Sequence, residues 1–166
     1  MTQRATQLQS YLAEKNITAF LAMLRSSEGA TYNTLFGGKT FEGYNTHPTD
    51  REIPSPKGYT TYTNKAGVTI KTSAAGAYQI TYATWESLET MLGLTDFSPR
   101  SQDIGALELI REKGAIPLIR QGLFEEAVEA VCPIWASLPG SNNNQPEHDM
   151  ATVQAWYIDA GGELAG

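Results

Sequence analysis

The chain has 166 residues, 41% hydrophobic and 18% charged, a composition that fits one folded globular domain and excludes a disordered or membrane-embedded chain. Its formal net charge of −6 lacks the basic footprint that nucleic acid or an anionic lipid surface would need. The single cysteine, Cys132, rules out an internal disulfide and a thiolate metal cluster, and beside Pro133, Ile134 and Trp135 it reads as a small buried hydrophobe.

In chain order, Ala5, Leu8 and Leu12 recur at helical spacing up to Glu14, and a second run, Phe20, Leu21 and Leu24, follows a break near Asn16. Two short helices are therefore expected, the second leaving through Ser26, Ser27 and Glu28 into Gly29, a helix-stop residue. From Tyr32 to Ser73 glycine, threonine, tyrosine, asparagine and proline replace helical periodicity. Within that stretch two β-prone runs, Tyr59–Thr63 and Val68–Thr72, flank Asn64-Lys65-Ala66-Gly67 as a hairpin.

Helical patterning returns over Tyr82–Leu92, with Trp85, Leu88, Met91 and Leu92 on one face and Gly93 as the stop. Ser98-Pro99 supplies a cap and a first-turn proline for a helix through Ile104, Leu107 and Ile110 to Gly114. Short helices follow at Ala115–Gln121 and Phe124–Val131, and a last one runs from about His148 to Ala160 before Gly161-Gly162. Helices at both ends around a small sheet make an α+β domain, mainly helical, with a small antiparallel sheet set to one side and a cleft between two lobes. The whole span 1–166 reads as one domain, because no repeat or linker interrupts it.

Most common chemistries lack their sequence signatures. His47 and His148 lie far apart with no neighbouring metal-ligand spacing, and there is neither a phosphate-binding glycine loop nor a nucleophile elbow. Carboxylates remain. Glu28 follows an apolar helix directly and then meets a glycine, which suits a carboxylic acid kept protonated by burial, although a solvated helix-end charge fits the same local sequence and is more common.

Further residues carry a resemblance. Met23-Leu24 with Ser27-Glu28-Gly29, then Gly37-Gly38, Phe41, Tyr44 and His47-Pro48 form the first blocks. Gly76-Ala77-Tyr78-Gln79, Leu92-Gly93-Leu94 with Asp96-Phe97-Ser98-Pro99 and Ser101-Gln102-Asp103, and Ile134-Trp135-Ala136-Ser137-Leu138-Pro139-Gly140 follow in order. The chain so resembles the lambda-type phage lysozyme, or endolysin, family, whose relatives are lytic transglycosylases. The similarity spans about Phe20 to Gly162, leaving out the first residues and Thr49–Lys71.

The resemblance implies a lysozyme-like fold and a catalytic acid, Glu28, that protonates the glycosidic oxygen between N-acetylmuramic acid and N-acetylglucosamine in peptidoglycan. In the transglycosylases the same carboxylate then takes the proton of the muramic acid C6 hydroxyl as a 1,6-anhydro ring closes. A hydrolytic muramidase, or a non-catalytic peptidoglycan-binding phage protein, would share the fold. Because an internal hydroxyl replaces water or an enzyme nucleophile, the usual second carboxylate becomes dispensable. Glu42, Asp50 and Asp103 are available for that role, yet none is singled out by spacing.

The same resemblance assigns substrate contacts to Ser27, Tyr78, Gln79 and Ser137, the last also able to orient Glu28. One departure stands in the loop Gly140–Gln145, which lacks the family's aromatic and has Asn143 in its place, so that asparagine hydrogen bonds are expected where a ring would stack. The divergent Thr49–Lys71 region is expected to form a lip over the glycan. No metal or organic cofactor is implied, and the protein is expected to be a monomer with no stable membrane association. No run reaches the roughly 18 uninterrupted apolar residues of a spanning helix, and Met1–Gln7 has no apolar signal core. The expectation is accumulation in a host cytoplasm and passage to the wall through a holin-type lesion.

Overall fold

The computed structural model describes residues 1–50, 59–142 and 146–166. Helix α1 (Gln3–Ser10) starts at Thr2, whose hydroxyl accepts the Ala5 N–H, and passes through a short 3₁₀ turn (Tyr11–Ala13) into α2 (Lys15–Glu28). The break between them falls at Glu14, in extended conformation, and not at Asn16. Asn16 is helical and instead acts at long range: its Nδ2 donates to the carbonyls of Ile119 and Glu163, and its Oδ1 accepts the Glu163 N–H. A residue that reads locally as a breaker thus pins the C-terminal tail to the start of α2.

Ile17, Ala19, Phe20, Leu21, Met23, Leu24 and Ser27 of α2 are all buried, so apolar residues cover most of its circumference rather than one stripe. It is the central helix. Around it pack α5 (Ile116–Arg120) and α7 (Met150–Asp159). The Phe20 ring meets Phe124 of α6 (Phe124–Val131) edge-on at 5.9 Å, and Phe124 stacks on Tyr157 of α7 at 4.7 Å. Gly29 ends α2 in the left-handed region at φ 61°, its N–H returning to the carbonyls of Arg25 and Ser26.

On the other side, α4 (Pro99–Glu112) carries α1 and α3 (Tyr82–Leu92). Ser98 caps α4 through its hydroxyl with Pro99 in the first turn, as the sequence requires. Trp85 of α3 is fully buried and packs over Gly105 of α4, where a Cβ would come within 2.7 Å of the indole. Met91, placed on the apolar face by periodicity, is instead 47% exposed; Leu92 and Leu88 fill that face, and the wheel turns Met91 to solvent.

The sheet is a two-stranded antiparallel hairpin, β1 (Thr60–Thr63) and β2 (Thr69–Thr72), with Tyr62 opposite Ile70 and Thr60 opposite Thr72. Asn64 Oδ1 accepts the N–H groups of Ala66 and Val68, and Gly67 takes φ 79°, which sets the turn. Cys132 is buried and burial raises its thiol pKa, in keeping with a packing role.

His47 is fully buried, donating from Nε2 to the Ile80 carbonyl at 2.8 Å and accepting the Thr49 hydroxyl at Nδ1. Burial lowers its pKa to about 4. The unfolded chain protonates this histidine near its ordinary value, so its contribution to stability is constant above roughly pH 6.5 and falls as pH drops toward 4. The expected loss is about 3 kcal/mol. Urea unfolding of the wild type and His47→Gln at several pH values checks this: their stability difference should shrink across that window and stay constant above it.

Candidate active site

A cleft of about 490 Å³ is lined by the exit of α2 (Glu28, Gly29), the loop Thr34–Gly38, the hairpin residues Tyr62 and Thr72, then Ala74, Gln79 and Thr81, and the turn Ile134–Ala136. Glu28 is the last helical residue of α2, half-buried, and presents its carboxyl to this cleft. It is the only charged side chain among the described residues lining it.

Burial raises the Glu28 pKa to about 7, and a hydrogen bond from Ser137 acts in the opposite sense. The carboxyl sits at the C-terminal end of α2, where the helix dipole further disfavours an anion. Arg25, one turn earlier on the same helix, would favour the anion if it reached the acid. It is turned elsewhere: Nη1 donates to the Tyr78 hydroxyl at 2.8 Å and the guanidinium lies over the Tyr32 ring. Glu28 therefore exists near neutrality as a mixture of acid and anion, the state that a group donating and then accepting a proton requires.

Behind Glu28 lies a small polar cluster. Ser27 Oγ and Ser137 Oγ are 2.7 Å apart, the His148 N–H donates to the Ser137 carbonyl at 2.8 Å, and His148 Nε2 donates to the Ser27 carbonyl at 3.0 Å. These bonds tie the end of α2 to the 134–141 turn and to the start of α7, which begins at Met150, capped by Asp149, two residues later than the sequence pattern suggests. The displaced start leaves His148 outside the helix and free to bridge to Ser27. Ser27 and Ser137, assigned to substrate from the resemblance, are not among the residues lining the cleft; their hydroxyls face each other and, through Ser137, the acid.

Ser137→Ala removes the bond that favours the Glu28 anion. The alkaline limb of the pH–activity profile should move to higher pH, with about 1 kcal/mol of stability lost. A pH–rate series on the variant checks both the direction and the assignment.

Gln79 lines the cleft on a strained backbone, with φ 50°, and its Nε2 donates to the carbonyls of Gly76 at 2.9 Å and Thr34 at 3.1 Å. Both amide hydrogens are thereby used, and Oε1 is left as an acceptor. Tyr78 does not reach the cleft surface. It is 1% exposed, its hydroxyl donates to Asp103 and accepts from Arg25, and its carbonyl accepts the Trp135 indole N–H at 2.9 Å. The ring assigned to sugar is thus buried, and it is the Tyr78 backbone carbonyl that holds Trp135, a wall of the cleft.

Of the carboxylates considered as second groups, Asp103 is held by the hydroxyls of Tyr32 and Tyr78, Asp50 lies 3.5 Å from the Tyr82 hydroxyl, and Glu42 is exposed; none lines the cleft. Asn143 lies outside the described residues, as does part of the Thr49–Lys71 region. Among the described residues no cluster of three metal-ligating side chains occurs, and no helix is long and apolar enough to cross a membrane.

Sequence reasoning missed Arg25, Trp135 and His148, whose partners are 53, 57 and 121 residues away. It also missed Thr34, Phe36 and Tyr62 on the cleft wall. For Tyr62 the signal was present in the alternation of the hairpin, since Thr60, Tyr62, Ile70 and Thr72 share its half-buried face.

The endolysin family model matches residues 18–164. The endolysin of Escherichia phage lambda is 37% identical over 156 residues, covering 88% of this chain and 91% of that protein. The endolysin of Escherichia phage P2 is 37% identical over 162 residues, covering 89% and 94%. Among solved structures, bacteriophage lambda lysozyme complexed with a chitohexasaccharide superposes with a TM-score of 0.78 at 35% identity, over 91% of this chain and 97% of that one. A second structure of lysozyme from bacteriophage lambda gives 0.75 at 34% identity, with the same coverage. With the family model spanning residues 18–164 and the lambda lysozyme fold shared over 91% of the chain, this chain belongs to the endolysin family.

Proposed function

We propose that this endolysin cuts the glycan strands of peptidoglycan as a lytic transglycosylase, with Glu28 acting first as acid and then as base. The observation that carries the reading is a carboxyl group with a pKa of about 7 that has no second charged partner among the described residues of its cleft. Hydrolases that retain or invert configuration need a second carboxylate within roughly 5–9.5 Å, as nucleophile or as base for water. An attacking hydroxyl within the substrate needs neither.

In the first half, protonated Glu28 gives its proton to the glycosidic oxygen as the bond from the muramic acid C1 breaks, releasing the N-acetylglucosamine hydroxyl. In the second, the Glu28 carboxylate takes the proton of the muramic acid C6 hydroxyl while that oxygen bonds to C1. One bond forms for one broken, no water is consumed, and Glu28 returns protonated. Ser137 holds the carboxyl between the two steps, and Gln79 Oε1 accepts from a sugar hydroxyl or an N-acetyl N–H.

The chitohexasaccharide bound by the lambda lysozyme supports a β-1,4-linked amino sugar chain as the ligand class here. Because Glu28 must begin protonated, kcat/KM should fall as pH rises through about 7. A reducing-sugar assay during digestion of purified peptidoglycan tests the reading: soluble fragments should accumulate without new reducing ends, whereas one reducing end per cut would make the enzyme a hydrolytic muramidase.

A further inference from the structure

Phe36 and Tyr62 lie with ring centroids 4.6 Å apart at 36°, and both line the cleft that holds Glu28. Both are half-buried, and neither belongs to the hydrophobic core or to the side chains packed against it among the described residues. Two large rings outside the core and on a polar cleft carry an exposure cost that core packing does not explain.

Their surroundings fix them in place. Tyr62 sits opposite Ile70 in the hairpin ladder, on the face that also brings Thr72 to the cleft. Phe36 is followed by Gly37 and Gly38, which take φ 90° and 93°, and among the described residues nothing lies within 4 Å of where their side chains would begin. The backbone beside the Phe36 ring is therefore bare and open, which lets a bulky ligand approach the pair closely.

We infer that Phe36 and Tyr62 form an aromatic subsite that seats the apolar face of one sugar ring of the glycan, so that the stacking surface of this cleft is carried by its hairpin lip. The chemistry matches: a β-linked pyranose presents axial C–H groups on its faces and polar groups at its rim. The rings cover the faces while threonine hydroxyls such as Thr72 meet the rim. The loop Gly140–Gln145 has no aromatic residue to offer, and Trp135, the other ring on the described cleft wall, is only 2% exposed, which leaves Phe36 and Tyr62 as the pair on which a sugar can be stacked. This inference rests on the cleft being a glycan site.

The test titrates a β-1,4-linked N-acetylglucosamine hexasaccharide into Glu28→Gln protein, which cannot turn it over, alone and combined with Tyr62→Ala, Tyr62→Phe or Phe36→Ala, by calorimetry. Tyr62→Ala and Phe36→Ala should each weaken binding by about 5- to 20-fold, with Tyr62→Phe within about twofold of its parent. With Glu28 intact, the loss in Tyr62→Ala should fall on KM more than on kcat. Melting curves matching the parent show that the hairpin has kept its fold. Unchanged affinity in both alanine variants overturns the subsite while leaving the glycan reading standing, provided that the wild type solubilises peptidoglycan. No binding by the Glu28→Gln parent, together with intact peptidoglycan, overturns both.

Discussion

Glu28→Gln should abolish turnover and stabilise the fold at the same time. The loss of the proton donor is expected to lower kcat by about a thousandfold or more, since general acid–base catalysis contributes roughly 10²–10⁴ to a rate and in the proposed mechanism one group serves both half-reactions. The gain in stability follows from the raised pKa. The folded state holds the Glu28 proton up to about 7, whereas the unfolded chain releases it near 4.5. The Glu28 contribution to stability is therefore greatest below pH 4.5 and declines as pH rises through 7, because a charge must then be carried in a place that disfavours it. At pH 8 the isostere, which is never charged, should recover up to about 3 kcal/mol of that penalty, seen as a melting temperature higher by several degrees. Below pH 4.5 the two proteins should melt alike. Equal melting at both pH values would mean that the carboxyl is not held in a desolvated site.

Gly76→Ala should be strongly destabilising for a single added methyl group. Gly76 takes φ 81°, and its added Cβ would overlap Gln102 Oε1 and come within 2.9 Å of Phe97 Cζ. Gln102 cannot yield, because it is 1% exposed with all three bonds in use: Oε1 accepts the Ala77 N–H, and Nε2 donates to the carbonyls of Tyr32 and Phe97. Left-handed strain of about 1 kcal/mol or more, overpacking of about 1–3 kcal/mol and a broken buried hydrogen bond give a loss of roughly 3–5 kcal/mol. Activity should fall beyond what the unfolded fraction explains, since the Gly76 carbonyl also holds Gln79. Chemical denaturation alongside specific activity of the folded fraction checks both parts. Gln102 is thus the buried brace of the segment that carries Gln79.

What could be read from the sequence was whatever depends on neighbours in the chain. The caps at Ser98 and Gly29, the hairpin turn at Asn64–Gly67 and the exit of α2 at Glu28 all follow from residues within one or two turns, and the structure has them in place. Where a residue's partner lies far away, local reading failed in a consistent manner. Asn16 seemed a breaker because its side chain suits turns, yet its amide is committed to residues 103 and 147 positions later. The resemblance gave Tyr78 a substrate contact while its local sequence fitted a core residue with a satisfied hydroxyl equally well; the hydroxyl is taken by Arg25 and Asp103 and the ring is enclosed. Met91 met the periodicity rule and still faces solvent, since two leucines already fill the stripe it was assigned to.

The candidate site shows the same division. Local sequence favoured a solvated helix-end charge at Glu28 and the resemblance made it the acid, but nothing local could show that Arg25 is drawn away from it or that Ser137 reaches it from 109 positions along the chain. Burial raises its pKa, Ser137 acts against that rise, and Arg25 is bound elsewhere. All three facts are tertiary, and so is the absence of any second charged side chain from the described cleft wall.

The most direct measurement is a mass spectrum of the muropeptides released from purified peptidoglycan in heavy-oxygen water, by the wild type and by Glu28→Gln. A single acid–base carboxyl predicts 1,6-anhydro products without heavy oxygen from the wild type and almost none from the variant. Heavy oxygen at a new reducing end would contradict the transglycosylase step, and undiminished release by Glu28→Gln would contradict the placement of the active site itself.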